Sequence, residues 1–541
     1  MRFRLLAALA ATVLSTGLGS AQPKAVGPTV EVRLRSVNDL ADTFEYVAGA
    51  FGQEEAGRQV RGLVKTLTAD GKGIEGIDPK KPMGAYATLS KDVVTSPVVV
   101  LIPIADQEQL FKALQKRFEI APEKNDDGTF KVAVPFLNEL TLRFANGYVY
   151  VSQKARDLDP QTLIKPAAYF AKDDGAVASV VVHIDRIPAE LKTVVLGQLE
   201  LGINEARKKD GEKEGEAEKR FKNLALDAAL AGFKGLNDDG KDLSVKLFAD
   251  AKSDTITAEV VVTATSGSPT AKTFAALGTK TSLPAGIVAA ANPVSRGNAK
   301  IAAADSLKKD YVAAVDALLA EAAKQVPADQ EDAFKQVVAA VGPTIKSGEL
   351  DVASTFIGPD AKGHYRFIGA VGVKEGKGIE TVLKALVKQY GQFVEGDVTF
   401  KFDEEAVGDF TLHRIDLKHI DDTFDRTFGT NKIWLATSDK VIVASIEPDG
   451  DTIRKGLKAK AVPVPIVSTE TAVAKLLPLA QPDSKPDRLK ATLKEVFGDG
   501  PTTGKDVVAF RVEGGDRLGV TLTVKGKAVR ALAEMNKHKE K

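Results

Sequence analysis

The chain has 541 residues, 74 basic against 73 acidic side chains, 44% hydrophobic residues, 6% aromatics and no cysteine. The near-neutral balance gives no global field to steer a polyanion, and a single tryptophan with so few aromatics furnishes no base- or sugar-stacking platform. Without thiols there are no disulfides, thiolate metal sites or cysteine nucleophiles, so stability has to come from packing, with length enough for about two to four domains.

At the start of the chain Arg2 and Arg4 form a basic region, residues 5–14 are apolar, and Gly19, Ser20 and Ala21 are small. This order predicts a signal peptide over residues 1–21 and export to the periplasm or the extracellular space. The apolar run is about half of the roughly 20 residues that a spanning helix needs. No later segment comes closer, so the expectation is a chain with no integral membrane segment after cleavage.

Residues 30–36, VEVRLRS, alternate as a strand does, and Asn38 or Asp39 then opens a helical pattern through Leu40, Phe44, Val47 and Phe51. GAYATL predicts the next strand. Residues 98–104 form an unbroken apolar, largely β-branched run, as expected of a strand covered on both faces or paired at a sheet centre. Asp106 is placed to cap the helix that follows, with Leu110, Phe111 and Leu114 on one face. TFKVAV and LTLRF read as strands, and Asn146-Gly147 between two alternating runs predicts a type I′ hairpin. ASVVVHIDRI, residues 178–187, is another strand leading into a long helical region. The charged run at residues 208–220 reads as a solvated helix or loop, with favourable pairs from Glu216 to Arg220 and from Glu218 to Lys222. Two strands and a helix start follow, and the composition breaks at residues 278–286.

Beyond that break the order is similar to itself. Residues 308–319 resemble 43–51, and residues 367–386 place a strand, a Gly-rich turn and a helix ending in Leu-Lys-Ala-Leu, as 96–114 end in Phe-Lys-Ala-Leu. A hairpin at 432–446 answers the Asn-Gly hairpin, and 518–535 form a fourth strand-to-helix unit. The predicted fold class is therefore α+β, with tandem duplicated domains of antiparallel sheet carrying helices on one face: a first domain over 22–282 and a second over 283–541. The stretch VVVLIPIADQEQLFKAL followed by the hairpin NGYVYVS, at 146–152, resembles uncharacterised exported bacterial proteins of planctomycete type. That resemblance implies export and architecture and carries no activity.

No catalytic signature is complete. Residues 412–425 gather His413, Asp416, His419, Asp421, Asp422 and Asp425. On a strand the two histidines lie about 20 Å apart, too far to share an ion, so a strand with exposed polar residues and an acidic, helix-capping turn is expected. His183 with Asp185 has no neighbouring nucleophile. Ser306 and Lys309 match Ser-x-x-Lys without the accompanying elements. The Gly-rich residues 369–378 lack Gly-Lys-Ser or Gly-Lys-Thr. The turns at Asn125, Asn237 and Pro448 lack calcium-loop ligands and read as hairpin turns. The sequence thus implies no catalytic, cofactor or metal residues and no nucleic-acid partner. It predicts an exported, non-enzymatic binding or scaffold protein, its partner an envelope protein. The alternative is a carrier of an apolar ligand or lipid between sheet and helices, and the third reading is a hydrolase with an unfamiliar site.

Overall fold

The computed structural model describes residues 27–67, 73–134, 138–171, 174–208, 215–390, 398–418, 420–480 and 486–537. The expected signal peptide lies outside the described residues. The chain is α+β, the strand pairings among the described residues are antiparallel, and it divides into two compact units. One unit draws on the chain up to Leu196, on Leu236–Ser268 and on the end from Thr523; the other draws on Gly197–Gly235 and Pro269–Leu522.

In the first unit the strands are β1 (Val30–Leu34), β2 (Met83–Ala87), β3 (Val98–Pro103), β4 (Glu123–Lys124), β5 (Phe130–Val134), β6 (Asn138–Ala145), β7 (Tyr148–Ser152), β8 (Ala178–His183), β9 (Gly240–Asp250) and β10 (Thr255–Ala264). Their registers set the order 4-5-6-7-3-2-1-8-9-10 across the sheet. The β6–β7 turn has φ of 55° at Asn146 and 74° at Gly147, the positive values a type I′ hairpin demands. After β3, Asp106 Oδ1 accepts the Gln109 N–H at 2.9 Å and starts the helix Gln107–Phe118, as the sequence predicts. Earlier, Ser36 rather than Asn38 or Asp39 is the N-cap, and the helix runs over Val37–Ala50.

β3 lies between β2 and β7, and both of its faces are covered. Ile102 and Ile104 meet Leu110 and Phe111 of the following helix, together with Phe130, Phe144 and Val149. On the opposite face Val99 and Leu101 pack with Tyr86, Tyr148, Tyr150, Leu158 and Tyr169. In this unit the second face is closed by residues 155–170, whose backbone is tied to the sheet through the Tyr150 hydroxyl, which donates to Ile164 O at 3.1 Å.

The second unit opens with a short strand β11 (Lys280–Ser282), paired with β19 (Val462–Val464). Its main strands are β12 (Ser295–Ala302), β13 (Glu349–Ile357), β14 (Arg366–Gly372), β15 (Val398–Val407), β16 (Phe410–Leu417), β17 (Lys432–Thr437), β18 (Val441–Ile446), β20 (Val467–Ala472) and β21 (Val507–Glu513), followed by β22 (Arg517–Lys525). The registers give the order 15-16-17-18-14-13-12-20-21. Counted from the first main strand of each unit, this is 4-5-6-7-3-2-1-8-9, the order found in the first. Along the chain, helices follow the first, third and eighth main strands in both: a pair, one and a pair. Residues 197–235 of the last pair in the first series belong to the second unit, and the helix Asp422–Phe428, after the fifth strand, has no counterpart in the first. One face of this sheet buries Ile368, Leu412, Trp434, Ala436, Val443 and Ile453.

Two of the three expected hairpin turns are different structures. Asn125–Gly128 does turn between β4 and β5. Asn237 lies inside the helix Glu216–Asp239, which passes straight into β9 at Gly240. A Cβ at Gly240 would stand 2.2 Å from Leu236 O, so glycine is what lets helix become strand without a loop. Pro448 to Gly450 lead β18 into the helix Asp451–Gly456, whose free N–H groups at Thr452 and Ile453 are taken by the buried Glu447 carboxylate, each at 2.8 Å.

Candidate functional site

His413 lies on β16, as the alternation predicts, but it is buried rather than exposed, with 1% of its surface accessible. The segment's even pattern hid which face is covered. The helix Gly376–Tyr390, entering after the third main strand, lies over this side of the sheet and brings Glu380 and Lys384 to it. β15 supplies Asp403 through a bulge: Lys401 pairs with Arg414 and Glu405 with Leu412, so residues 402–404 stand against His413 alone. Asp403 takes φ of 55°, a left-handed conformation that costs an aspartate energy and persists where its surroundings hold it.

The bonds close into a circuit. The Asp403 backbone N–H donates to His413 Nδ1 at 3.0 Å, which leaves Nδ1 bare and puts the ring proton on Nε2. Nε2 faces Thr437 Oγ1 at 3.3 Å, and the Thr437 hydroxyl donates to Glu380 Oε2. Lys384 Nζ then lies 2.6 Å from Glu380 Oε1 and 2.6 Å from Asp403 Oδ1. Burial pushes the His413 imidazole below its ordinary range. Burial acts to raise Glu380, but its bonds from Lys384 and Thr437 outweigh that and hold it low. Lys384 is raised, because the hydrogen bonds to Asp403 and Glu380 outweigh burial.

Glu380, Asp403 and His413 place one possible ligand atom each within 4.8 Å of one another. The Lys384 ammonium already stands against both carboxylates, so the positive charge that an ion would bring is supplied by the chain itself. His413 and Thr437 are both 1% exposed, which leaves neither accessible to a substrate. Chemically the circuit fixes a tautomer and locks helix to sheet.

Beside it lies a cleft of about 760 Å³, lined by Val326, Ala333, Phe334, Leu386, Tyr390 and Phe400, among others. Its walls are the helix Glu331–Lys346, the C-terminal half of the helix Gly376–Tyr390 and β15. Phe400 stacks on Phe402 at 6.0 Å, and Phe402 meets the His413 ring edge-on at 5.5 Å. Aromatic contacts thus run from the cleft to the polar circuit.

The other sequence candidates are scattered. Asp416 pairs with Arg414 and Lys401, Asp421 caps the helix Asp422–Phe428 as the acidic turn predicts, and His419 lies outside the described residues. His183 is bonded not to Asp185 but to Asp242 at 2.5 Å and Glu31 at 3.0 Å, carboxylates on β9 and β1. Ser306 and Lys309 are exposed on the helix Asp305–Gln325. Gly369 belongs to β14, and Gly376 and Gly378 begin the following helix. Glu380, Lys384, Asp403 and Thr437 carry no sequence signal that ties them to His413; the Glu380–Lys384 spacing of four is the only local hint.

The chain matches no protein-family model, no curated protein and no solved structure.

Proposed function

We propose that this is an exported, non-enzymatic binding protein, built by duplication of one α+β unit, whose second copy takes up a small apolar molecule in the cleft between the helices 331–346 and 376–390 and strand β15. The cleft carries this reading. At about 760 Å³ it falls within the roughly 300–1,000 Å³ typical of small-molecule sites, and its walls are mainly aliphatic and aromatic. The shared strand order and the shared steps at which helices enter support duplication, and the leader-like start supports export. The non-enzymatic reading is supported by the burial of His413 and Thr437.

The test is titration of the full chain with N-phenyl-1-naphthylamine, an uncharged apolar fluorophore. Saturable enhancement at one site is expected. It is lost when the lining residue Val337 is enlarged in Val337→Trp to fill the cleft, while the circular dichroism spectrum stays unchanged. Ala333→Trp gives the same result from a second position if the first variant misfolds. No saturable binding, or binding indifferent to both fillings, overturns the proposal.

A further inference from the structure

The geometry points to the head group of the ligand: an apolar molecule carrying an organic ammonium. This rests on the cleft being a ligand site and adds the charge the site selects. Three half-buried aromatic residues, Phe334, Tyr390 and Phe400, come from three different elements to line the cleft. Ring faces are electron-rich and attract cations, most strongly a quaternary ammonium that sheds water easily. The charged residue in the lining is Asp329, which is exposed, and its carboxylate makes no ion pair among the described residues.

Two cations on the flanking helices are already paired. Lys335 pairs with Glu331 at 2.9 Å and Asp332 at 3.8 Å, and Lys384 with Glu380 and Asp403. A carboxylate head would meet the Asp329 carboxylate and aromatic walls, in a lining that includes no cationic side chain among the described residues. A neutral alcohol would gain only the apolar contact. A trimethylammonium head would gain the rings and Asp329 together, an electrostatic preference that survives partial exposure.

The experiment is displacement of N-phenyl-1-naphthylamine from the full chain by three amphiphiles of one chain length, all below their micellar concentrations: an alkyltrimethylammonium, the alcohol and the fatty acid. The ammonium is expected to displace the probe at about ten-fold lower concentration than the alcohol, and the acid to be the weakest. Asp329→Asn and Phe400→Leu should each reduce the ratio of ammonium to alcohol affinity by about three-fold, whatever either does to the affinity for the probe. Equal displacement by all three, or preference for the acid, overturns the head-group assignment and leaves the apolar site standing. Failure of the probe itself to bind overturns both.

Discussion

Two helices enter the fold at the same step, each after the third main strand of its unit, and they rest on different material. Beneath Gln107–Phe118 the rings of Phe111, Phe130 and Phe144 pack with centroids 5.1, 5.4 and 5.7 Å apart, and the interface is filled. Beneath Gly376–Tyr390 lies the circuit of Glu380, Lys384, Asp403, His413 and Thr437, and beside it the cleft. One scaffold accepts either solution because the helix is held by its connection to the sheet. Apolar filling gives stability without an opening; directional bonds position the helix through a few contacts and leave room alongside.

The comparison breaks most sharply at Phe144. Phe144→Ala removes one of the three rings and should cost about 3–5 kcal/mol, read as loss of a circular-dichroism transition. The sole tryptophan, Trp434, is in the second unit, and its fluorescence midpoint in urea should stay where it was. A matching shift of the tryptophan signal would show that the two interfaces are not separate in energy.

His413→Leu comes next. It keeps bulk and leaves Thr437 bonded to Glu380, but it strands the Asp403 N–H, so the Trp434 midpoint should drop by the equivalent of about 1–3 kcal/mol. An unchanged or raised midpoint would mean that the circuit contributes nothing over an apolar filling. Asp106→Ala, which deletes the cap of the first helix, should cost about 1 kcal/mol and act on the first unit only. A cost near zero would place that helix's stability entirely in its phenylalanine contacts.

The gentlest probe is pH. The native His413 imidazole is held below its ordinary value, so as the pH falls through about 6.5 the unfolded chain takes up a proton that the native chain does not, and stability declines. Glu380 acts in the same direction lower down: its contribution is complete above its ordinary value, about 4.3, and is lost as pH falls through its depressed native one. Between pH 7.5 and 5.5 the tryptophan midpoint should therefore fall in the native sequence and less so in His413→Gln. Parallel slopes in the two proteins would exclude His413 as the source.

Most of the scaffold is legible in the sequence because its signals are local. Asp106 caps what it should cap, Asn146-Gly147 turns as its chemistry requires, and the recurrence of strand, turn and helix at residues 367–386 marks a real element order. The candidate site is legible only at His413. Its partners lie 10, 24 and 33 residues away, and one of them, Asp403, arrives through a bulge that no alternation pattern announces. Alternating polar residues along the segment predict exposure, yet His413 is compatible with burial because the neighbouring strands supply its hydrogen bonds under the helix. Asn237 lies in a turn-forming tetrapeptide that stays helical, and the helix exits directly into a strand at Gly240.

His183 joins Glu31 across 152 residues, and Arg296 joins Glu470 across 174. Each pair marks the place where the first main strand of a unit meets the eighth. A chain that appears from its N-terminus must therefore carry β1, and later β12, with one hydrogen-bonding edge open until most of the unit has followed. Such open edges pair with other chains, and long loops close slowly. Order of emergence thus exposes this architecture to mispairing twice, and each risk ends only when a late strand arrives to cover an early one.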